Sequence, residues 1–231
     1  MADRPGVSFL IAAYNEEATI AEVIERIEAL PLESQIIVVD DGSVDRTPQV
    51  LERWRDDPNV VVRRQGNRGK GSAIRAAIPH IDREIAVIQD ADMEYDPADV
   101  PDLIEPIRRG VADVVYGSRL IGGKPQRAYL FWHLMGNRFL SMVAGVLFNT
   151  TLSDIHTGYK AFRSDVLRSL ELREDGWALD PEITGKICKR NLRIYELPVA
   201  YYGRSYEEGK KITWRAGFEA LWVLFRIRLR D

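Results

Sequence analysis

The alternation of short apolar runs with amphipathic stretches is the feature that most restricts the fold of this chain. Five runs rich in Val, Ile and Ala occur in its first half, at 7–12, 36–39, 60–62, 85–88 and 113–116. The stretches between them carry apolar residues every three or four positions, which is typical of helices packed by one face. Runs that are apolar throughout, alternating with such helices, predict an α/β fold with a mostly parallel sheet covered by helices on both faces.

Capping residues place the helices between these strands. Asn15 is positioned to cap the first helix, and Asp96, followed by Pro97 at the first helical position, starts the fourth. The second and third helices are predicted at 47–55 and at about 71–78.

Polar clusters follow three of the predicted strands. They are 13–16, 40–43 and 90–92, and each comes directly after an apolar run. In parallel sheets the ligands bind beyond the carboxyl ends of the strands, so the three clusters predict one site. Asp90 and Asp92 are two positions apart and point to one side of an extended chain, a pair suited to Mg²⁺ or Mn²⁺ shared with substrate phosphates. Taken alone, such a pair is equally expected at an ordinary solvated strand end.

Two other nucleotide sites are disfavoured by spacing. A dinucleotide fold needs Gly-x-Gly-x-x-Gly after the first strand, where this chain has none. The glycines at 66–71 have the wrong spacing for a phosphate-binding loop and follow the third strand instead of the first.

Composition excludes several broad classes. The formal net charge of −3 gives no overall attraction to nucleic acid, so no nucleic-acid partner is expected. The single cysteine, Cys188, excludes an internal disulfide framework and fits a reducing cytosol. The first residues show no secretory signal pattern, and the longest uncharged stretch, 139–153, is shorter than the ~20 residues of a membrane-spanning helix. We therefore expect a cytoplasmic protein.

Six motifs, in order, resemble those of the GT-A glycosyltransferases of family 2, and within them the dolichyl- and polyprenyl-phosphate sugar synthases. They are Asp40-Asp41-Gly42-Ser43, Gly69-Lys70-Gly71-Ser72-Ala73, Asp90-Ala91-Asp92, Tyr116-Gly117-Ser118-Arg119, Thr157-Gly158-Tyr159-Lys160, and the segment 202–211. The resemblance covers nearly the whole chain. It implies a GT-A catalytic domain over 1–205, with an amphipathic segment at 128–150, followed by a lid and an amphipathic helix over 206–231.

The resemblance also implies a nucleotide-sugar donor, GDP-mannose or UDP-glucose. The positions that match the family's donor site are Ala12, Tyr14, Glu16, Val39, Asp41, Lys70, Asp90, Ala91, Asp92, Arg204 and Lys210. Asp90, Asp92 and Glu94 are implied to hold Mg²⁺ or Mn²⁺ against the donor diphosphate. Two positions depart from the family pattern: Ala12 stands where Pro is frequent, and Glu94 where Gln is frequent, which leaves the metal preference open.

The acceptor decides whether a general base is needed. A phosphate acceptor already carries negative charge and needs cations, for which Arg119, Arg138 and Arg163 are candidates. We expect Asp92, Arg119 and Arg138 to be the catalytic groups, and direct attack to invert the donor's α-linkage to a β-linkage. If the acceptor is a hydroxyl, Asp154 or Glu182 is the candidate base, whereas Asp180 before Pro181 indicates a helix start.

Two apolar stretches predict contact with a membrane surface. The first is 129–148, and the second begins at Trp214 and ends in arginines. Aromatic residues and arginines on amphipathic helices are typical of the membrane interface, although packing on the domain core is the alternative. We expect a peripheral protein at the cytoplasmic membrane face, docked by these helices or by a separate membrane-anchoring partner protein.

The sequence favours an enzyme that moves mannose or glucose from the nucleotide sugar to a dolichyl or polyprenyl phosphate. Transfer to a soluble sugar, a glycolipid or a secondary metabolite is the alternative within the fold. A nucleotide-sugar-binding protein without catalysis is disfavoured because Asp90, Asp92 and Lys70 are intact.

Overall fold

The computed structural model describes residues 6–128, 131–203 and 214–230, and for residues 214 and 215 the backbone alone. The strands are β1 (Gly6–Ala13), β2 (Glu33–Asp40), β3 (Val60–Arg64), β4 (Ile85–Asp90), β5 (Val114–Ser118), β6 (Lys160–Arg163) and β7 (Ile194–Pro198). The α-helices are α1 (Ile20–Glu28), α2 (Thr47–Leu51), α3 (Lys70–Ala77), α4 (Val100–Arg108), α5 (Phe131–Phe148), α6 (Ser164–Ser169), α7 (Leu179–Lys189) and α8 (Trp214–Arg230). Short 3₁₀ helices lie at Glu52–Trp54, Ile78–His80 and Pro97–Asp99.

The described strands form one sheet in the order β3-β2-β1-β4-β6-β5-β7. The pairs β1–β2, β2–β3, β1–β4 and β5–β7 are parallel, whereas β6 is antiparallel to both of its neighbours, β4 and β5. The predicted mostly parallel sheet is therefore confirmed. All strands except β6 end at one edge, which we call the carboxyl edge. Because β6 runs in the opposite direction, it begins at this edge.

The central strands β1, β4 and β5 are buried on both faces, as their mostly apolar sequences require. Along β1, Phe9 and Ile11 pack with α1, α2 and α4, whereas Leu10 packs on the other face with α3, α5, α6, α7 and α8. Successive strand residues point to opposite faces, so each strand contributes to two apolar cores. Most positions of these strands are therefore apolar, and of the buried exceptions, Ser8 and Gln35 are hydrogen-bonded to each other.

Several predicted helix boundaries are wrong. Asn15 does not cap α1, which begins five residues later at Ile20; its Oδ1 instead accepts a hydrogen bond of 2.9 Å from the Val44 backbone N–H. The second helix stops being α-helical at Leu51 and continues as a 3₁₀ turn. Asp96 caps a 3₁₀ turn at Pro97–Asp99, where its side chain accepts from Ala98 N–H, and α4 begins only after this turn, at Val100.

Helices α5 and α8 pack against each other and leave apolar side chains exposed. Leu140 and Ala144 of α5, and Val223 and Leu224 of α8, are buried. The opposite stripes are exposed, and we call them together the apolar face: Trp132, Met135, Phe139, Met142 and Val146 of α5, with Phe218, Trp222, Phe225 and Leu229 of α8. Among the described residues, no helix has both the length and the apolar content needed to cross a bilayer.

Candidate active site at the carboxyl edge of the sheet

The loops after β1 and β2 hold each other by hydrogen bonds. The Asn15 N–H donates to Ser43 Oγ (3.0 Å), and the Glu16 N–H donates to Thr47 Oγ1 (2.9 Å). Asp40 Oδ1 in turn accepts from Ser43 N–H. Of the predicted nucleoside residues, Tyr14 and Glu16 are half-buried in the loop after β1. Ala12 is half-buried near the end of β1, where it pairs with the buried Val39 of β2.

Asp41 is buried and binds the loop that precedes α3. Its carboxylate accepts from Gln65 Nε2 (2.7 Å), Arg68 N–H (3.0 Å) and Gly69 N–H (2.7 Å). Three donors therefore fix the carboxylate at the carboxyl edge, and through it they fix the start of α3.

Lys70 brings α3 to the end of β4. Its Nζ forms an ion pair with Asp90 Oδ1, and this attraction, reinforced by Asp180 and Asp92, outweighs burial and raises the pKa of Lys70. Asp90 also touches the loop before β6, because a Cβ at position 158 would overlap Asp90 Oδ2. Gly158 is therefore required for Asp90 to occupy this position.

The two aspartates do not share an extended strand. β4 ends at Asp90, and the chain then turns through Met93, whose φ is +59°. Asp92 Oδ1 accepts from Glu94 N–H (3.1 Å), and Glu94 Oε2 accepts from the Tyr201 hydroxyl (2.7 Å). The argument from strand geometry is therefore wrong for Asp92, although both carboxylates stay at the carboxyl edge.

The acidic residues after β4 fit a hard cation by their chemistry. They offer only oxygen donors, which Mg²⁺ and Mn²⁺ prefer, and Ala91 between them is buried. Within the described part of the chain, no three His, Cys, Asp or Glu side chains are grouped closely enough to hold a metal ion. Asp90, Asp92 and Glu94 as joint ligands remain a prediction.

Arg119 and Asp154 form a buried ion pair beside this edge. Nε and Nη2 of Arg119 donate to the two carboxylate oxygens at 2.7 and 2.8 Å. Burial alone would raise the pKa of Asp154, but Arg119 outweighs it and lowers that pKa below its ordinary value. The Arg119 guanidinium also lies 5.0 Å from the centre of the Tyr201 ring. Tyr201 therefore contacts both Glu94 and Arg119.

Arg138 lies in a groove next to this pair. The groove has a volume of about 500 Å³ and runs between α5 and the loop at 149–153. Its lining combines the arginine with hydroxyl groups and apolar side chains: Leu120, Ser141, Met142, Val146, Thr150, Thr151, Leu152 and Ser153.

Other candidates from the sequence lie elsewhere. Arg163 is at the opposite edge of the sheet, paired with Asp113 and Asp165, so its expected place near the acceptor is wrong. The Glu182 carboxylate accepts from Arg173 N–H and Glu174 N–H and binds a loop instead of facing a substrate. Arg204 and Lys210, which were predicted to contact the donor, lie outside the described residues.

Sequence reasoning missed one group that holds this site together. Glu196 of β7 accepts hydrogen bonds from the backbone N–H groups of Ser153 and Asp154, at 3.0 and 3.2 Å, and from Ser153 Oγ. Burial raises the pKa of Glu196. No local motif marks this residue, because its partners come from a loop about 40 positions away.

A buried salt bridge also fixes Lys160. Its Nζ pairs with Asp180, which lies inside the first turn of α7 and not at its cap. The helix start predicted at Asp180 is therefore wrong, and Asp180 is a buried ion-pair partner instead of a cap.

A doubly covered, mostly parallel sheet whose acidic loops converge at the carboxyl edge defines a nucleotide-binding α/β domain of the GT-A type. The glycosyl transferase family 2 profile matches residues 8–170, and this chain belongs to that family.

Curated relatives share about 30% identity with the chain. A dolichol-phosphate mannosyltransferase of Pyrococcus furiosus is 30% identical over 228 residues, covering 96% of this chain and 63% of the relative. An undecaprenyl-phosphate mannosyltransferase of Micrococcus luteus is 30% identical over 239 residues, covering 95% and 97%. A low-salt glycan biosynthesis hexosyltransferase of Haloferax volcanii, 30% identical over 88% of this chain, is matched over 49% of its length. The chain thus spans between about half and nearly all of the length of these relatives.

Solved structures confirm the GT-A fold. A glucosyl-3-phosphoglycerate synthase from Mycobacterium tuberculosis, crystallised with Mn²⁺, UDP and glucosyl-3-phosphoglycerate, matches with a TM-score of 0.72 at 20% identity, covering 98% of this chain and 80% of that one. The same enzyme has been solved with Mg²⁺ and UDP.

Proposed function

We propose that this protein transfers a hexose, mannose or glucose, from a nucleotide sugar to a dolichyl or polyprenyl phosphate. The observation that carries the proposal is the groove beside Arg119 and Arg138. It opens on the apolar face of α5, and it combines a cation with apolar walls. An acceptor with an anionic head and a hydrocarbon tail is complementary to both features.

The donor is assigned to the carboxyl edge. The loops after β1 and β2 line the nucleoside site, and Asp90, Asp92 and Glu94 face the diphosphate. A bound Mg²⁺ or Mn²⁺ supplies positive charge to the departing nucleoside diphosphate. Lys70 lies within ion-pair distance of Asp90 and adds a second cation next to the leaving group.

In the reaction, an acceptor phosphate oxygen attacks the anomeric carbon, and the bond to the donor's distal phosphate breaks. The nucleoside diphosphate leaves with the electron pair, so an α-linked donor gives a β-linked product. The phosphate oxygen is already ionised and needs no general base. This agrees with Asp154, which is held by Arg119 instead of being available to remove a proton.

Membrane association follows from the apolar face. A patch of large apolar side chains on two packed helices marks an interaction surface on an otherwise polar protein. Because the acceptor groove lies along α5, a bilayer in contact with the apolar face would also contact the groove, which supports a lipid acceptor. We therefore assign the protein to the cytoplasmic face of a membrane as a peripheral protein. Transfer measured on vesicles of pure lipid, with no other protein present, tests whether a membrane-anchoring partner is needed.

The test is transfer of radiolabelled sugar from GDP-mannose, UDP-glucose or UDP-N-acetylglucosamine into organic-extractable polyprenyl phosphate, with Mg²⁺, Mn²⁺ or EDTA. We expect lipid-phase label from one hexose donor, lost in EDTA. Label that remains aqueous with every donor, while soluble sugars become labelled, would assign the chain to the alternative class of soluble acceptors.

A further inference from the structure

One segment of the C-terminal half lies directly over the start of α3. The Ser72 N–H donates to the Asp175 carbonyl oxygen at 3.0 Å. A Cβ at Gly69 or Gly71 would overlap the carbonyl oxygens of Asp175 and Glu174. The two glycines of the Gly69-Lys70-Gly71 motif therefore allow the segment at 173–177 to contact the backbone of α3.

Charged groups hold this segment in place from both sides. The Glu182 carboxylate accepts from Arg173 N–H and Glu174 N–H at 2.9 and 2.8 Å. On the other side, Arg75 donates to the Glu174 carbonyl oxygen at 2.5 Å and pairs with Asp175. Hydrogen bonds to charged groups are stronger than neutral ones. The segment is thus ordered without any ligand.

Trp177 follows this anchored segment and is 39% exposed. The Lys70 Nζ lies 5.6 Å from the centre of its ring, and the same Nζ pairs with Asp90. The indole therefore borders the place where the donor diphosphate is assigned. None of the contacts that anchor residues 173–175 involves the indole, so packing of the segment does not account for a half-exposed tryptophan at this position.

We propose that Trp177 is the platform on which the hexose of the donor stacks, and this inference rests on the proposed function. The hexose is bonded to the distal phosphate, so it lies one bond beyond the diphosphate next to Lys70 and Asp90. A pyranose has an apolar C–H face, and aromatic side chains with polar groups nearby are the usual lining of such sites. Because the anchored segment already holds the ring in place, no conformational entropy of the loop is lost when the hexose binds.

The test compares nucleotide sugars with the matching nucleoside diphosphates. Calorimetric titrations with GDP-mannose and GDP, and with UDP-glucose and UDP, are run in Mg²⁺ on the wild type, Trp177→Ala and Trp177→Phe. We expect Trp177→Ala to weaken binding of the preferred nucleotide sugar about tenfold, with less than about a twofold change for its nucleoside diphosphate. Trp177→Phe retains an aromatic ring and should recover most of the affinity. Tyr195→Ala, which removes a comparably exposed aromatic side chain from β7, is the matched control and should change neither.

The outcomes separate the two proposals. If Trp177→Ala loses the same affinity for the nucleotide sugar as for the nucleoside diphosphate, or loses none for either, the stacking platform is overturned. The proposed function still stands in that case, because the wild type binds the nucleotide sugar. A wild type that binds none of the four ligands would overturn the proposed function and the platform with it. If Trp177→Ala does not fold, Trp177→Leu, which keeps a large apolar side chain without a ring, replaces it. Weakening of the nucleotide sugar alone then supports the platform, whereas weakening of both ligands or of neither overturns it.

Discussion

The carboxyl edge and the apolar face differ in where their interactions are completed. At the edge, the carboxylates of Asp40, Asp41 and Asp90 already accept hydrogen bonds or ion pairs from the protein. On the apolar face, large side chains such as Trp132 and Val146, each about 80% exposed, lie outside both sheet cores. The edge is therefore organised before any ligand binds, whereas the face is left uncovered by the part of the chain that the structure describes.

This contrast predicts two classes of variant. Changes at the edge should reduce transfer with every form of the acceptor. Changes on the face should reduce transfer only when the acceptor is in a bilayer. Four predictions follow this division, in order of decreasing effect.

The largest effect is expected for Asp92→Ala. Removing a carboxylate next to the leaving diphosphate should reduce transfer by at least about a hundredfold, in detergent and in vesicles alike. Asp102→Asn, which changes an exposed aspartate on α4, is the control and should retain activity. Substantial transfer by Asp92→Ala in either format would remove Asp92 from the metal site.

The second prediction concerns the buried pair behind the edge. Arg119→Ala leaves Asp154 ionised and buried without its partner, which should lower the free energy of unfolding by about 3–5 kcal/mol, measured by urea denaturation. Arg108→Ala breaks an exposed pair and should cost less than about 1 kcal/mol.

The kinetic role of Arg119 is tested with Arg119→Lys, which keeps the charge. In this variant we expect the acceptor KM to rise more than the donor KM. The reverse pattern would move Arg119 to the donor side.

The third prediction is a pH dependence near the groove. Burial lowers the pKa of His156 to about 4, below its ordinary value of 6.5. Between these values the unfolded chain binds a proton that the folded protein does not. The free energy of unfolding should therefore fall by about 2.5 kcal/mol as the pH decreases from 6.5 to 4, on top of the shared effect of the carboxylates. His156→Gln should remove this part of the slope in urea titrations, and an unchanged slope would contradict a buried neutral imidazole.

The smallest effect is expected for the apolar face. Trp132→Ser and Trp222→Ser should each weaken binding to anionic lipid vesicles about five- to tenfold, because each removes a large exposed ring from the interface. Transfer to a short, water-soluble polyprenyl phosphate should stay unchanged. Val111→Ser, which alters an exposed apolar residue near the opposite edge, is the control. Equal losses on soluble and membrane acceptors would show that the face serves the fold instead of the bilayer.

Much of the sheet was predictable because its central strands are buried on both faces and are therefore apolar throughout. The strand β6 was not, since its four residues include Lys160, which is buried only because Asp180 pairs with it from α7. That missed direction also explains the error for Arg163. In an antiparallel β6 this residue lies at the end opposite to the site.

The site, like the sheet, has a part that could be predicted from the sequence and a part that could not. The polar clusters after β1, β2 and β4 were visible because strand ends are local features. The contacts that organise them were not, because Tyr201 reaches Glu94 and Glu196 reaches Ser153 only after the chain has folded. Trp177 likewise lies beside Lys70 through tertiary packing alone.

The reversed direction of β6 has a consequence for where this protein tolerates added length. The loop at 149–159 lies at the carboxyl edge and leads into Gly158, which touches Asp90, so an insertion there displaces the reactive groups directly. The turns at 55–59 and 109–112 lead from a helix into β3 and β5 at the opposite edge and are largely exposed. Tags, fluorophores or inserted domains belong in those turns, where the chain gains residues without moving the site.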